Sequence, residues 1–208
     1  MNIAVIGTGN VGGTLGRRFA AAGHRITFGA HKPNAAVKGG APAGSRVTSV
    51  PDAVGAADVV VLTVPWSAVP NVVRSLGPVA GKVVVDVVNP VTSGPGGLAL
   101  DIGPNGESAA ERIAAMIPKA RVVKAFNQTG SENMANPVYN GEPSVMFLAG
   151  DDESAKATAR ELALAIGFDA IDAGPLSRSR ELEHLALLWI SLAYSGMGRN
   201  IAFKLARR

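Results

Sequence analysis

Continuous apolar runs, without a polar residue at every second position, are the main pattern along this chain. The clearest run covers residues 3–6, and residues 58–65, 82–88 and 121–126 are apolar at most of their positions. Unbroken runs of valine, isoleucine, leucine and alanine are typical of strands that are buried on both faces, as in parallel sheets. Helical patterns over residues 14–22, 68–76 and 107–117 separate them. This alternation predicts βαβ units and a parallel sheet.

Shorter patterns complete the prediction. We expect further strands at residues 24–30, 46–48, 145–150 and 168–173, and helices at residues 49–57, 151–166 and 180–193. Asp151 and Ser177 are predicted to cap the last two helices, because their side chains can accept hydrogen bonds from free N–H groups. Residues 34–44 and 92–106 are rich in small residues, glycine and proline, and are predicted to be irregular loops.

The first apolar run leads directly into a glycine motif with the spacing G-x-G-x-x-G. The first glycine permits a tight turn, the second lets backbone N–H groups approach a pyrophosphate, and the third allows close packing of helix on strand. The phosphates would bind at a helix N-terminus, where free N–H groups and the helix dipole favour negative charge. The motif therefore predicts a dinucleotide site at Gly7, Thr8, Gly9, Asn10, Val11 and Gly12.

The end of the second predicted strand indicates which dinucleotide binds. In NAD-specific proteins an acidic residue about twenty positions beyond the glycines binds the ribose hydroxyls. This chain has Ala30, His31 and Lys32 there. A carboxylate would repel a 2′-phosphate, whereas small and cationic residues accommodate one. We therefore predict NADP(H) rather than NAD, although His31 and Lys32 could instead be ordinary solvated loop residues.

Other candidate residues follow the predicted strands, because ligands of open α/β sheets bind at the carboxyl ends of the strands. The fourth and fifth strands should place these residues at the cofactor: Thr63, Val64, Pro65, Trp66, Asn89 and Pro90. Trp66 is either a lid over the ribose and phosphates or a packing residue. Asn127, after the sixth strand, is predicted to bind and position the nicotinamide or acceptor ring, without acid or base chemistry.

Asp86 has a structural interpretation. It lies inside the fifth predicted strand, where a carboxylate that is paired with Lys82 or with backbone groups is expected more often than a catalytic acid.

These patterns together predict an α/β fold of the Rossmann type, with a doubly wound, mainly parallel sheet and a small C-terminal extension of helix and strand. We assign residues 1–143 to the NADP-binding domain. Residues 144–208 form a small C-terminal portion that is expected to contribute an acceptor cleft and a dimer contact. This portion is too short for the large helical substrate domain of a two-domain dehydrogenase.

Composition narrows the function classes. The chain has 208 residues, of which 47% are apolar and 17% are charged, and it contains no cysteine. A compact protein in the cytoplasm, without disulfides, fits these values. The net charge is +4, but the basic residues are scattered, so no nucleic-acid partner is expected. The apolar segment at residues 185–194 is about half of a bilayer span, which predicts a buried helix or subunit contact and no membrane segment. The three histidines lack metal-ligand spacing, so no metal is expected.

Several motifs together resemble one family. They are Gly7 to Gly12, residues 58–66, Lys124-Ala-Phe-Asn127, residues 150–152, residues 172–180 and residues 196–198. Over nearly its whole length the chain resembles the NADPH-dependent reductases of the deazaflavin coenzyme F-420 (F420). The resemblance implies a Rossmann domain, a C-terminal portion that helps to form a deazaflavin cleft, a homodimer, and hydride transfer between NADPH and the small-molecule co-substrate F420.

Two positions depart from the family pattern. The family carries a Ser-Arg pair where this chain has Ala30 and His31, and a histidine where this chain has Asn127. The Lys124 to Asn127 form resembles the reductase domain of membrane ferric reductases, which pass hydride from NADPH to a flavin. The acceptor is therefore predicted to be a deazaflavin or a flavin.

Two other functions stay open. One is a binding module or sensor for NADP(H) without turnover, and the other is a small carbonyl or imine reductase whose site is built across a dimer. The enzyme hypothesis expects Asn127, residues 174–177 and residues 196–198 to close a second cleft of ring size.

Overall fold

A computed structural model describes residues 1–33, 35–94 and 96–208 of the chain. The strands are β1 (Asn2–Ile6), β2 (Arg25–Gly29), β3 (Arg46–Thr48), β4 (Val59–Leu62), β5 (Val83–Asp86), β6 (Val91–Gly94), β7 (Gly97–Leu100), β8 (Arg121–Lys124), β9 (Val138–Tyr139), β10 (Glu142–Pro143), β11 (Val145–Gly150) and β12 (Asp169–Asp172). The α-helices are α1 (Asn10–Ala21), α2 (Val50–Gly55), α3 (Val69–Ser75), α4 (Ala109–Met116), α5 (Ser131–Ala135), α6 (Glu153–Ala165) and α7 (Ser179–Leu192).

The main sheet has the order β12-β11-β8-β5-β4-β1-β2-β3. The six strands from β8 to β3 are parallel to one another. β11 runs antiparallel to β8, and β12 is parallel to β11. The parallel part has the strand order of a dinucleotide-binding sheet, in which the direction of winding reverses between β1 and β4. The predicted Rossmann-type α/β fold is confirmed.

Two apolar layers cover the faces of this sheet. In β1, Ile3 and Val5 pack on the layer that contains Leu15 and Phe19 of α1. Their neighbours Ala4 and Ile6 pack on the opposite layer, with α2, α3 and α4. Because both faces are covered, successive residues of the central strands are all buried, which is the physical reason for the unbroken apolar runs.

The C-terminal residues extend the same sheet. β11 pairs with β8 through the partners Ala149↔Lys124 and Gly150↔Val123. α6 packs against β11 and β12, and α7 packs against β7 and α4. Residues 144–208 therefore share the main sheet with the preceding part of the chain, and their division into a separate portion stays a prediction.

The prediction of an irregular loop at residues 92–106 holds for residues 101–106 but is wrong where β6 and β7 lie. β6 and β7 form an antiparallel ribbon in which Val91 pairs with Leu100 and Gly94 pairs with Gly97. Because glycine has a low strand propensity, the sequence pattern does not predict this ribbon, which is held by cross-strand hydrogen bonds. Pro95 and, in the other predicted loop, Asn34 lie outside the described residues.

Both predicted helix caps are also wrong. The side chain that caps α6 is Asp152, whose Oδ1 accepts from the backbone N–H of Ala155 at 2.8 Å. Asp151 instead accepts from the N–H of Leu176 at 2.8 Å. Ser177 lies in a short 3-10 turn, and α7 begins at Ser179 without a side-chain cap.

Among the described residues, no helix combines the length and apolar character that crossing a bilayer would require.

An aromatic cluster supplies a test of the core. The ring of Phe126 lies 5.9 Å from that of Phe19 and 6.2 Å from that of Phe168. We expect Phe168→Ala to lower the free energy of unfolding by about 3–5 kcal/mol, because it removes buried ring contacts and leaves a cavity. Urea unfolding measures the change. The control Leu164→Ala removes a side chain that is 45% exposed. Equal losses in the two variants would contradict the prediction.

Candidate functional site

The glycine loop joins β1 to α1 with very little space between them. Gly7 has a φ of 118°, a conformation that side chains disfavour. A Cβ atom on Gly12 would lie 2.2 Å from the carbonyl oxygen of Gly7 and 2.6 Å from Oγ1 of Thr63. A Cβ atom on Gly9, in contrast, would meet nothing within 4 Å. The loop is closed on the strand side and open on the outer side.

This open side is suited to a pyrophosphate. Gly9 is the N-cap of α1 and has no side-chain hydrogen bond at that position. The first N–H groups of the helix are therefore free of a side-chain cap, and the helix dipole adds positive potential there. The geometry fits the phosphates of NADP(H).

A cleft of about 420 Å³ opens beside the loop, at the carboxyl ends of β1, β4 and β5. Most of the predicted residues line it, namely Gly7, Thr8, Gly9, Asn10, Val11, Thr63, Val64, Pro65, Trp66 and Asn89. Val87 and Val88 also line it and were missed. Their apolar character marks them as strand residues, so the sequence holds no signal that they reach the cleft.

The other predicted residues lie near the cleft but do not form its lining. Gly12 is buried under the loop, and Pro90 is buried behind Asn89. Ala30 follows the last residue of β2 and donates its N–H to the carbonyl of Thr48 in β3. The next two residues, His31 and Lys32, are exposed. These three residues lie at the carboxyl end of β2, where the fold binds the adenosine side of a dinucleotide.

A cleft of about 500 Å³ lies elsewhere, lined in part by His24, Arg25 and Arg46. These residues are at the beginning of β2 and β3. Because open α/β sheets bind ligands at the carboxyl ends of their strands, the cleft at the glycine loop is the candidate site.

Asn127 is held inside the protein, at 3% exposure. Its Nδ2 donates to Oδ1 of Asn89 and to the carbonyl of Leu182, each at 3.0 Å. Its Oδ1 accepts from Nε2 of Gln128 at 2.9 Å, and Nδ2 of Asn89 donates to its carbonyl at 2.7 Å. The side chain of Asn127 therefore orients Asn89, which reaches the cleft, and does not line the cleft itself.

The backbone at the end of β8 explains this placement. Phe126 has a φ of 60°, which is unusual for a bulky residue, and its side chain is fully buried. Aromatic packing on both sides holds it in this conformation, so the chain turns sharply before Asn127.

A fully buried ion cluster lies under the cleft. The ammonium of Lys124 is 2.8 Å from Oδ2 of Asp86 and 2.7 Å from Oε1 of Glu183. Burial alone would lower the pKa of Lys124, but the charges of Asp86 and Glu183 and the hydrogen bonds to them raise it. Of the two partners predicted for Asp86, the backbone is confirmed, because its Oδ1 accepts from the N–H of Val88 at 2.9 Å. Lys82 is not a partner, because it donates to the carbonyl of Ala57. The structural interpretation of Asp86 stays in place with Lys124 as the partner.

Trp66 forms one side of the cleft. Its Nε1 donates to Oδ2 of Asp101 at 2.6 Å, and the guanidinium of Arg112 lies 4.6 Å from the centre of its ring. Arg112 also pairs with Oδ1 of Asp101 at 3.2 Å. The indole is thus a packing residue that also lines the cleft, and its role as a lid over the ribose and phosphates stays a prediction.

Among the described residues, those of the C-terminal motifs do not line the cleft at the glycine loop, and the second cleft of ring size stays a prediction. Leu176 packs in the layer that contains Val122, near the amino end of β8. The chain at residues 193–197 forms a short π-helical turn after α7, where Tyr194 and Met197 are exposed. Of the residues that the structure describes, none after Asn89 in the sequence lines the 420 Å³ cleft.

The histidines lie outside the cleft lining. His184 is exposed, with Nδ1 2.7 Å from the carbonyl oxygen of Arg180. Across the part of the chain that the structure describes, no group of three or more His, Cys, Asp or Glu side chains could hold a metal ion.

Comparisons with known proteins now identify the family. A family model described as NADP oxidoreductase, coenzyme F420-dependent, matches residues 2–90. The F420-dependent NADP reductase of Methanothermobacter thermautotrophicus is 36% identical over 222 residues, which cover 99% of this chain and 94% of that protein. The chain belongs to the family of F420-dependent NADP reductases. This is a family of NADP-dependent oxidoreductases, and the resemblance inferred from the motifs is confirmed.

Two further relatives extend this result. A crystal structure assigned as an F420-dependent NADP reductase from Arthrobacter sp. FB24 has 30% identity and a TM-score of 0.88 over the full length of both chains. Metalloreductase STEAP3 of Rattus norvegicus is 29% identical over 185 residues. That alignment covers 89% of this chain but only 36% of the metalloreductase, which is a much longer protein.

Two glycine variants separate fold from binding. We expect Gly9→Ala to fold normally and to bind NADP(H) weakly, because its Cβ has space in the protein but occupies the approach of the pyrophosphate. Gly12→Ala should destabilise the protein itself, because its Cβ would meet backbone atoms. Thermal unfolding and cofactor titration measure both effects, with Gly55→Ala as an unhindered control. Normal cofactor affinity in Gly9→Ala would contradict the assignment.

The Trp66 contacts predict a pH dependence. The hydrogen bond from Trp66, followed by the bond and charge of Arg112, holds the pKa of Asp101 below its ordinary value of 3.8. The contact is therefore kept at neutral pH and lost as the pH falls through that lowered pKa. We expect a change in Trp66 fluorescence with a midpoint below 3.8. The Asp101→Asn variant should lack this transition, and an unchanged transition would contradict it.

Proposed function

We propose that this protein transfers hydride between NADPH and the deazaflavin F420. The observation that carries the proposal is the cleft at the glycine loop, which lies at the switch point of the sheet. The chain around it aligns over nearly its full length with an F420-dependent NADP reductase. The reaction takes two electrons and one proton from NADPH as hydride, and a second proton comes from water. Both partners are hydride carriers, so the chemistry belongs to them and the protein supplies binding and orientation.

The lining of the cleft supports this type of chemistry. Its polar side chains are those of Thr8, Asn10, Thr63, Trp66 and Asn89, and none of the described lining residues is titratable near neutral pH. A carbonyl reductase needs a general acid beside the substrate oxygen. Transfer between two ring cofactors needs instead that the rings be held close and that water be excluded.

Each part of the site has a proposed role. The loop from Gly7 to Val11 binds the pyrophosphate, and Gly12 permits the loop to form. Ala30, His31 and Lys32 receive the 2′-phosphate. Thr63 to Trp66 and Asn89 with Pro90 form the nicotinamide side, and Asn127 orients Asn89 from behind.

A flavin is the second candidate acceptor. The motif from Lys124 to Asn127 resembles that of the ferric reductases, and the alignment with metalloreductase STEAP3 covers most of this chain. Asn127 stands where the F420 reductases carry histidine, and it is fully hydrogen-bonded in this structure.

The decisive experiment is stopped-flow oxidation of NADPH by the purified protein with F420, FMN, FAD or a ferric chelate. We expect acceleration with F420, and a preference for flavins would favour the second candidate. No acceleration with any acceptor, despite tight NADPH binding, would favour a binding module and overturn the proposal.

The 2′-phosphate assignment has its own test. We expect Lys32→Glu to weaken NADPH binding by about tenfold while it changes NADH binding little, because only NADPH carries the phosphate that a carboxylate repels. Fluorescence titration of both cofactors measures this. Lys119→Glu makes the same change of charge at the opposite end of the sheet and serves as the control. Equal losses for NADPH and NADH would contradict the assignment.

We also propose a homodimer in the cytoplasm. The face of α7 and the turn after it exposes Leu188, Tyr194 and Met197, which are 49%, 75% and 61% exposed. All three residues lie within one stretch of ten residues, and exposed apolar patches are typical of protein contacts. Light scattering should give the mass of a dimer for the wild type and that of a monomer for Tyr194→Asp. A wild-type monomer would contradict this proposal.

A further inference from the structure

The buried ion cluster under the cleft holds one residue of its lining by both backbone groups. The ammonium of Lys124 donates to the carbonyl of Val88 at 2.6 Å. Oδ1 of Asp86 accepts from the N–H of the same residue at 2.9 Å. Val88 lines the cleft, and the next residue, Asn89, extends into it. Charged partners make these two hydrogen bonds stronger than ordinary backbone contacts.

The same cluster reaches the C-terminal helix. Glu183 of α7 binds Lys124 directly, and the carbonyl of the preceding residue, Leu182, accepts from Asn127. Asn127 in turn holds Asn89 through two hydrogen bonds. Val88 and Asn89 are therefore fixed by two separate routes, one ionic and one through amides, and both routes end on one turn of α7.

The charges of this cluster are balanced by the surrounding backbone. One ammonium and two carboxylates leave one negative charge in excess. Oε2 and Oε1 of Glu183 accept from the N–H groups of Ala109 and Ala110, at 3.0 and 3.3 Å, at the start of α4. A helix N-terminus stabilises an anion at this position. Apolar residues would fill the same volume with less desolvation cost, so the cluster favours a role in geometry over one in stability alone.

We propose that Lys124, together with Asp86 and Glu183, positions the nicotinamide side of the cofactor site. The sheet reverses its winding between β1 and β4, so the adenosine half lies over β1 to β3 and the other half lies over β4, β5 and β8. Lys124 thus acts through Val88 and Asn89 and makes no contact with the cofactor itself. The inference rests on the proposed function in that the cofactor is NADP(H), but it does not depend on the acceptor.

The test compares the whole cofactor with its adenosine half. Calorimetry on the full chain measures the Kd of NADP⁺ and that of adenosine 2′,5′-bisphosphate. The Kd of the bisphosphate divided by the Kd of NADP⁺ is the ratio that reports what the nicotinamide half contributes. The variant Lys124→Met/Asp86→Asn/Glu183→Gln removes all three charges together, so that no unpaired charge is left buried. We expect its Kd for NADP⁺ to rise about tenfold, with the Kd of the bisphosphate within about twofold of wild type.

A milder variant guards against a folding defect. Glu183→Gln keeps the shape of the side chain and removes one charge. We expect it to raise the Kd of NADP⁺ as well, but by less than the triple variant does.

A second lysine with two carboxylate partners, which are exposed rather than buried, serves as the control. Lys156 is paired with Glu153 at 2.8 Å and with Asp172 at 2.7 Å, a second cluster of one lysine and two carboxylates at the β12 edge of the sheet. Lys156→Met should lower the melting temperature and leave both dissociation constants unchanged.

The outcomes are separable. A folded neutral variant that keeps the wild-type ratio of dissociation constants would overturn the inference, and so would a wild type that binds the two ligands equally. If the ratio falls as expected but no acceptor accelerates NADPH oxidation, only the proposed reaction fails. A ratio that falls in Lys156→Met as well would show a general effect of stability and would also overturn the inference.

Discussion

The contact between the start of α1 and the ends of β1 and β4 is the constraint on which the site depends. A Cβ atom on residue 12 would lie only 2.2 Å from the carbonyl oxygen of Gly7. A residue other than glycine at this position would therefore prevent the helix from beginning where it does. Oγ1 of Thr63 donates to the carbonyl of Ile6 at 2.9 Å and completes the junction from β4. Because the helix begins this close to the sheet, its N-terminus lies at the switch point, where a dinucleotide crosses from one half of the fold to the other.

Buried polar groups determine the other side of the cleft. The backbone of Val88 is held by Lys124 and Asp86, and the amide of Asn89 is held by Asn127. Trp66 is held from outside by Asp101 and Arg112. The side of the cleft at the glycine loop is thus made by backbone geometry, whereas the side at Val88 and Asn89 is made by residues that are themselves held by buried side chains. A site that only orients two reactive rings requires rigidity of this kind.

The fold could be predicted closely because its signals are local and strong. Unbroken valine runs at β4 and β5 need a sheet covered on both faces, and the glycine motif requires the strand-to-helix turn that is observed. The ribbon of β6 and β7 and the cap at Asp152 could not be predicted in the same way. The ribbon depends on cross-strand pairing of weak strand formers, and the choice between Asp151 and Asp152 depends on the distant N–H of Leu176.

The sequence by itself determined the fold class, the glycine loop and the lack of an acid after β2, because each is expressed in neighbouring residues. Only the tertiary structure decided how Asn127 and Lys124 act. Both residues belong to one short sequence motif, Lys124-Ala-Phe-Asn127. The partner of Asn127 is Asn89, and the partners of Lys124 are Asp86 and Glu183. These partners are distant in sequence and come close only when β5, β8 and α7 pack. Hydrogen bonds and ion pairs between such elements depend on geometry at the scale of an ångström, which local sequence patterns do not carry.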